Sequence, residues 1–147
     1  MLDLKSIIHK VTDSKRLSQI LILLSFLGTF AIARMITNLQ KFQIIPNGMM
    51  PFHHLVPGIF LIIFSGYVGL SFWATDRIRH FMAVLFGVGA ALTIDEFALW
   101  LYLKDVYWLE QGRDSIDAII YTIIIFSIIF VISEIHDHKW IRRGIKK

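Results

Sequence analysis

Four apolar stretches of membrane-spanning length dominate this chain, at about residues 17–37, 51–74, 80–103 and 115–133. A helix needs about 20 mainly apolar residues to cross a hydrocarbon core of about 30 Å. Four such stretches use more than half of the 147 residues and leave no room for a separate soluble domain. Charged residues make up only 18% of the chain and the mean hydropathy is +0.64, against the more charged composition of soluble domains. The patterning therefore predicts an all-α fold, a four-helix transmembrane bundle forming a single integral membrane domain over residues 1–147. Cysteine is absent, which excludes disulfides, thiolate metal ligands and cysteine nucleophiles.

Ahead of the first span, residues 1–16 are amphipathic, with Leu4, Ile8 and Val11 at i, i+4, i+7. That spacing suits a short helix lying on the membrane surface; a frayed polar tail is the alternative. Span one carries no charge until Arg34. Its Ala31-Ile32-Ala33 resembles a small-residue signal cleavage site, but the preceding polar segment is long for a signal peptide, and cleavage would spoil the charge topology. Pro51 suits the first turn of span two, whereas Pro57 lies further in and is expected to kink it. Tyr107 and Trp108, with Trp100 and Tyr102 before them, read as an interfacial aromatic belt.

Lysine and arginine set orientation, because positive flanks stay in the cytoplasm. Lys5, Lys10, Lys15 and Arg16 precede span one, Arg77 and Arg79 join spans two and three, and five more follow span four. These eleven share one side of a four-span bundle, against Lys41, Lys104 and Arg113 on the other. The expected topology has both termini in the cytoplasm, in a cell inner membrane crossed several times. The basic tail adjoins a span and reads as a topology signal attracted to anionic lipid, with no support for nucleic-acid binding.

Within this layout Asp95 and Glu96 are the energetic anomaly. One carboxylate at mid-helix costs roughly 2.5–3.5 kcal/mol on the insertion scale, and here two are adjacent. They lie about eight residues from the outer end of span three, roughly 12 Å below it at 1.5 Å per residue. Arg34, His53, His54, Asp114 and Asp117 fall near the same level from the other three spans. Small residues let membrane helices approach closely. Gly87, Ala91, Asp95 and Ala98 share one face of span three, and Gly89, Thr93 and Glu96 share another. His54, Gly58, Ser65 and Gly69 share a face of span two, whereas His53 falls on a bulkier stripe with Phe60, Phe64 and Tyr67. His54, Asp95 and Glu96 thus project from packing faces.

Each residue also has a plainer role. Arg34 can snorkel to headgroups, His53 can be an interfacial side chain, Asp114 can cap span four, and Asp117 can favour that helix's positive end. The acidic pair has only a salt bridge to Arg34, which covers one carboxylate and leaves the other to be protonated, shared or ligated.

Three functions fit. In the first, His54, Asp95 and Glu96, with His53, ligate a divalent metal such as Zn, Mn or Fe; Asp95 and Glu96 are then also the catalytic candidates, activating water against a lipid or lipid-linked head group, with Arg34 and Asp117 as polar partners. No H-E-x-x-H or comparable spacing supports it. In the second, an oligomer moves ions or protons. In the third, the chain is a non-enzymatic assembly or interaction partner whose polar cluster fixes helix packing.

The stretches His53-His54-Leu-Val-Pro-Gly58, Phe86 to Leu101 with its Leu92-Thr-Ile-Asp-Glu96, Asp105-Val-Tyr-Trp108 and Gly112-Arg-Asp-Ser-Ile-Asp117 resemble a group of small bacterial four-span membrane proteins. The resemblance covers residues 17–133 and implies a bacterial inner-membrane setting. It carries no activity, ligand or catalytic assignment.

Overall fold

The computed structural model describes residues 4–41, 54–71, 75–103 and 113–144, with side chains at 13–37, 54–71, 75–103 and 113–137. Among them there are five helices and no strand: α1 (Leu4–Lys41), α2 (Leu55–Ser71), α3 (Asp76–Asp95), α4 (Phe97–Tyr102) and α5 (Arg113–Gly144). Three contain stretches long and apolar enough to cross a membrane, at Asp13–Thr37, Asp76–Asp95 and Arg113–Asp137. The shorter apolar α2, at 17 residues, spans about 26 Å.

Two expectations change. Residues 4–16 are not a separate surface helix but the first turns of α1, which runs unbroken for 38 residues, about 57 Å. No glycine or proline occurs before Gly28, so nothing in the backbone interrupts the ladder. Span three, in contrast, is not one helix over 80–103. It breaks at Glu96, whose φ of −97° and ψ of 23° are non-helical, although neither proline nor glycine is nearby. Pro57 lies in the first turn of α2, at the third helical position, where its missing N–H removes no hydrogen bond from the helix interior.

α3 is the central helix, packed between α1 and α2, with α5 against α1, α3 and α4. Its small residues set these distances. A Cβ on Gly87 would collide with Ser25 Oγ and the Ile22 carbonyl of α1. A Cβ on Gly89 would come within 2.8 Å of the Gly58 carbonyl of α2, and one on Gly58 within 2.6 Å of Thr93 Oγ1. On the α1 and α5 side, Phe26, Ala90, Ala91 and Ile119 form the buried core. Phe26 meets Phe126 edge to face at 5.7 Å.

Polar contacts fix the direction of each helix. Arg34, His54 and Asp95 meet at one end of the bundle, and Ser14, Asp76 and His80 at the other. Lys15 pairs with Asp137 at 3.0 Å and Arg16 with Glu134 at 2.5 Å, so the first part of α1 lies beside the last part of α5. In chain order α1, α2, α3 and α5 therefore run alternately up and down, with α1 and α3 parallel.

Candidate functional site

Neighbouring residues on a helix point about 100° apart, since 3.6 residues complete a turn. Asp95 and Glu96 therefore point in different directions, and the small-residue stripes of span three direct each towards a different helix. Gly87 lies against α1, and Asp95, two turns on, reaches Arg34 of that helix, Nε to Oδ1 at 2.6 Å. Gly89 and Thr93 lie against Gly58 of α2, and Glu96 reaches the start of α2, where Oε2 accepts the Leu55 N–H at 3.0 Å.

His54 joins the two halves. Its Nε2 lies 3.0 Å from Asp95 Oδ2 and its Nδ1 3.6 Å from Glu96 Oε1. The ring thus lies between the two carboxylates, within hydrogen-bond distance of Asp95 and a little further from Glu96. Asp95 is fully buried and Glu96 is 7% exposed. The Arg34 guanidinium also sits over the Phe30 ring, 5.3 Å from its centroid, which adds a cation–π contact to the ion pair.

The second carboxylate, which a salt bridge to Arg34 leaves uncovered, is held by the first turn of α2. Leu55 N–H is one of the donors that a helix N-terminus cannot satisfy internally, and the positive end of the helix dipole favours an anion there. Glu96 thus caps a different helix from its own.

The break at Glu96 meets a residue outside the acidic cluster. In an unbroken helix the Ala98 N–H would bond the Ile94 carbonyl. Instead it donates to Ser115 Oγ of α5 at 3.0 Å, and the Ile94 carbonyl takes the Glu96 N–H. Ser115 is 1% exposed. Its signal in the sequence is a hydroxyl in the first turn of span four, between Asp114 and Asp117.

Those aspartates lie elsewhere. Asp114 accepts the Tyr102 hydroxyl at 2.6 Å, tying α4 to α5. Asp117 is exposed on α5 and is not among the groups that meet the acidic pair. His53 lies outside the described residues. The structure thus brings Arg34, His54, Asp95 and Glu96 together and adds Ser115. Ligating a metal requires carboxylate and imidazole lone pairs aimed at one point. Here they are aimed at Arg34, at each other and at a backbone N–H, and no group of three or more His, Asp or Glu among the described residues is arranged to hold a metal ion.

A second polar layer, at the end with the termini, was also missed. Ser14 Oγ donates to Asp76 Oδ1 at 2.7 Å and accepts from Arg79 at 3.3 Å, with His80 Nε2 3.4 Å away. The chain matches no protein-family model, no curated protein and no solved structure, so the functional reading rests on the chemistry of these residues alone.

Proposed function

We propose that this chain is a non-enzymatic integral membrane protein, an assembly or interaction partner within the bilayer, in which Arg34, His54, Asp95 and Glu96 lock three helices together. One observation carries the reading: adjacent carboxylates on α3 are directed to two different helices and are each taken up by groups of the same chain. A metal or catalytic centre needs these groups to converge on a ligand; a lock needs them to converge on each other. The close approaches at Gly87, Gly58 and Gly89 also fit a lock, because they bring α1 and α2 against α3 with no room for a water-filled path at those contacts within one chain.

The lock sits at the outer face in the proposed topology, with both termini in the cytoplasm of a cell whose inner membrane holds four crossings. The bias of eleven basic residues to three supports that orientation, as does the pairing of Lys15 with Asp137 at one end of the bundle. A topology reporter at residue 108 should read as extracytoplasmic; a cytoplasmic signal there overturns the orientation.

The lock is tested by a double-mutant cycle on Arg34 and Asp95 in detergent-solubilised protein, alongside Zn and Mn titration and a proton-flux assay in proteoliposomes. A lock gives strong coupling between the two sites, no stoichiometric metal and no flux above empty vesicles. About one divalent ion per chain, lost on Asp95→Ala or Glu96→Ala but kept on Asp105→Ala, would replace it with the metal reading. Flux above background would replace it with transport.

A further inference from the structure

We infer that Ser115 is the positioning residue of this cluster: by taking the Ala98 N–H it breaks the helix at Glu96 and aims that carboxylate at the start of α2. The inference rests on the lock reading and extends it to α5, which contributes no charge to the cluster.

Three observations combine. First, the break has no cause in its own segment, since proline and glycine are absent from residues 90–103. Kinks without them come from a π-bulge or from a side chain or water inserted into the backbone ladder, and no π-helical turn is present here. Second, the inserted group is identified: Ser115 Oγ holds the Ala98 N–H at 3.0 Å in a buried contact. An irregular backbone at membrane depth persists only where protein groups satisfy it, and this hydroxyl does so. Third, the break changes where Glu96 points. Its φ of −97° is rotated roughly 35° from the usual helical value, and its ψ of 23° redirects the chain that follows. From that backbone, Oε2 meets the Leu55 N–H at 3.0 Å.

Removing the hydroxyl lets the Ala98 N–H return to the Ile94 carbonyl, merges α3 with α4 and turns Glu96 away from α2. Because Tyr102 also bonds Asp114, α4 follows the first turn of α5. A displacement of α5 therefore reaches Glu96 through Ser115, not through a charge.

The test is amide hydrogen exchange on the full chain in nanodiscs, read at Leu55 and, as a remote control, at Phe26. Ser115→Ala should speed exchange at Leu55 about tenfold while leaving Phe26 unchanged, and Ser115→Thr, which keeps the hydroxyl, should restore the native rate. Ser115→Cys, a weaker acceptor, should fall between and serves if the alanine variant folds poorly. In a Glu96→Ala background, Ser115→Ala should add nothing at Leu55, since the carboxylate it positions is gone. Equal acceleration in both backgrounds, or none in either, overturns the inference. Failure of the lock reads differently: Glu96→Ala would leave the melting temperature unchanged while Leu55 exchange in the native chain still responded to Ser115.

Discussion

The two ends of the bundle both carry charged groups, and they use them differently. At the end with the termini, Lys15 meets Asp137 and Arg16 meets Glu134, one acid to one base, on side chains that water still reaches. At the other end Asp95 is fully buried and shared between Arg34 and His54, His54 is shared between Asp95 and Glu96, and Glu96 is shared between His54 and the α2 backbone. Exposed pairs gain little because water screens them and ordering long side chains costs entropy. Buried charges survive only when every unit is matched, so breaking one match leaves an uncompensated charge. In the proposed lock, the first arrangement adds little to the pairing of α1 with α5, and the second holds α1, α2 and α3 together.

The sharpest way to break this contrast is Arg34→Ala. It leaves Asp95 buried without its guanidinium and should destabilise the protein by about 3–5 kcal/mol, read by thermal unfolding in detergent. Replacing Arg34 and Asp95 together by Met and Leu should recover most of that loss, because well-packed apolar residues tolerate burial where a lone carboxylate does not. An Arg34→Ala protein as stable as the native one would make the two ends equivalent and remove the basis for a lock.

Next in size is Gly87→Val, which tests packing independently of charge. Its side chain meets the Ile22 carbonyl, which is backbone and cannot rotate away. The expected cost is about 1–3 kcal/mol from overpacking, with Arg34 and Asp95 pulled apart as α1 and α3 separate. A disulfide cross-link between engineered cysteines on α1 and α3 near this level should form more slowly in the variant.

Glu96→Ala comes third. It removes an acceptor from the α2 N-terminus and should cost about 1–2 kcal/mol, in the range of a lost helix cap. Glu96→Gln keeps a side-chain carbonyl for the Leu55 N–H and should cost less. If glutamine is as damaging as alanine, charge and not capping holds Glu96 in place. The smallest effect belongs to Lys15→Ala at the opposite end, under about 1 kcal/mol and fading further in high salt.

Much of the cluster was legible beforehand. Helical phase placed His54, Asp95 and Glu96 on packing faces, the span count put Arg34 at the same level, and the two stripes of small residues on span three were visible as stripes. What periodicity could not show was which neighbour each stripe meets. That depends on α3 lying between α1 and α2, which gives each of the two adjacent acids a partner on a different helix. Asp117 misled because sequence position gives its level in the membrane but not its side of the helix: Ser115, two residues earlier and roughly 200° around the helix, faces the break instead.

Composition and apolar period determine that this chain is helical and suited to a bilayer, because a backbone in hydrocarbon satisfies its hydrogen bonds locally and side chains of this polarity have nowhere else to go. Those are properties of residues taken a few at a time. The break at Glu96, the cap it provides to α2 and the stitch from Ser115 were decided only by tertiary structure. Each depends on a backbone donor and an acceptor from distant parts of the chain arriving within about 3 Å of each other, and hydrophobic patterning carries no information at that distance.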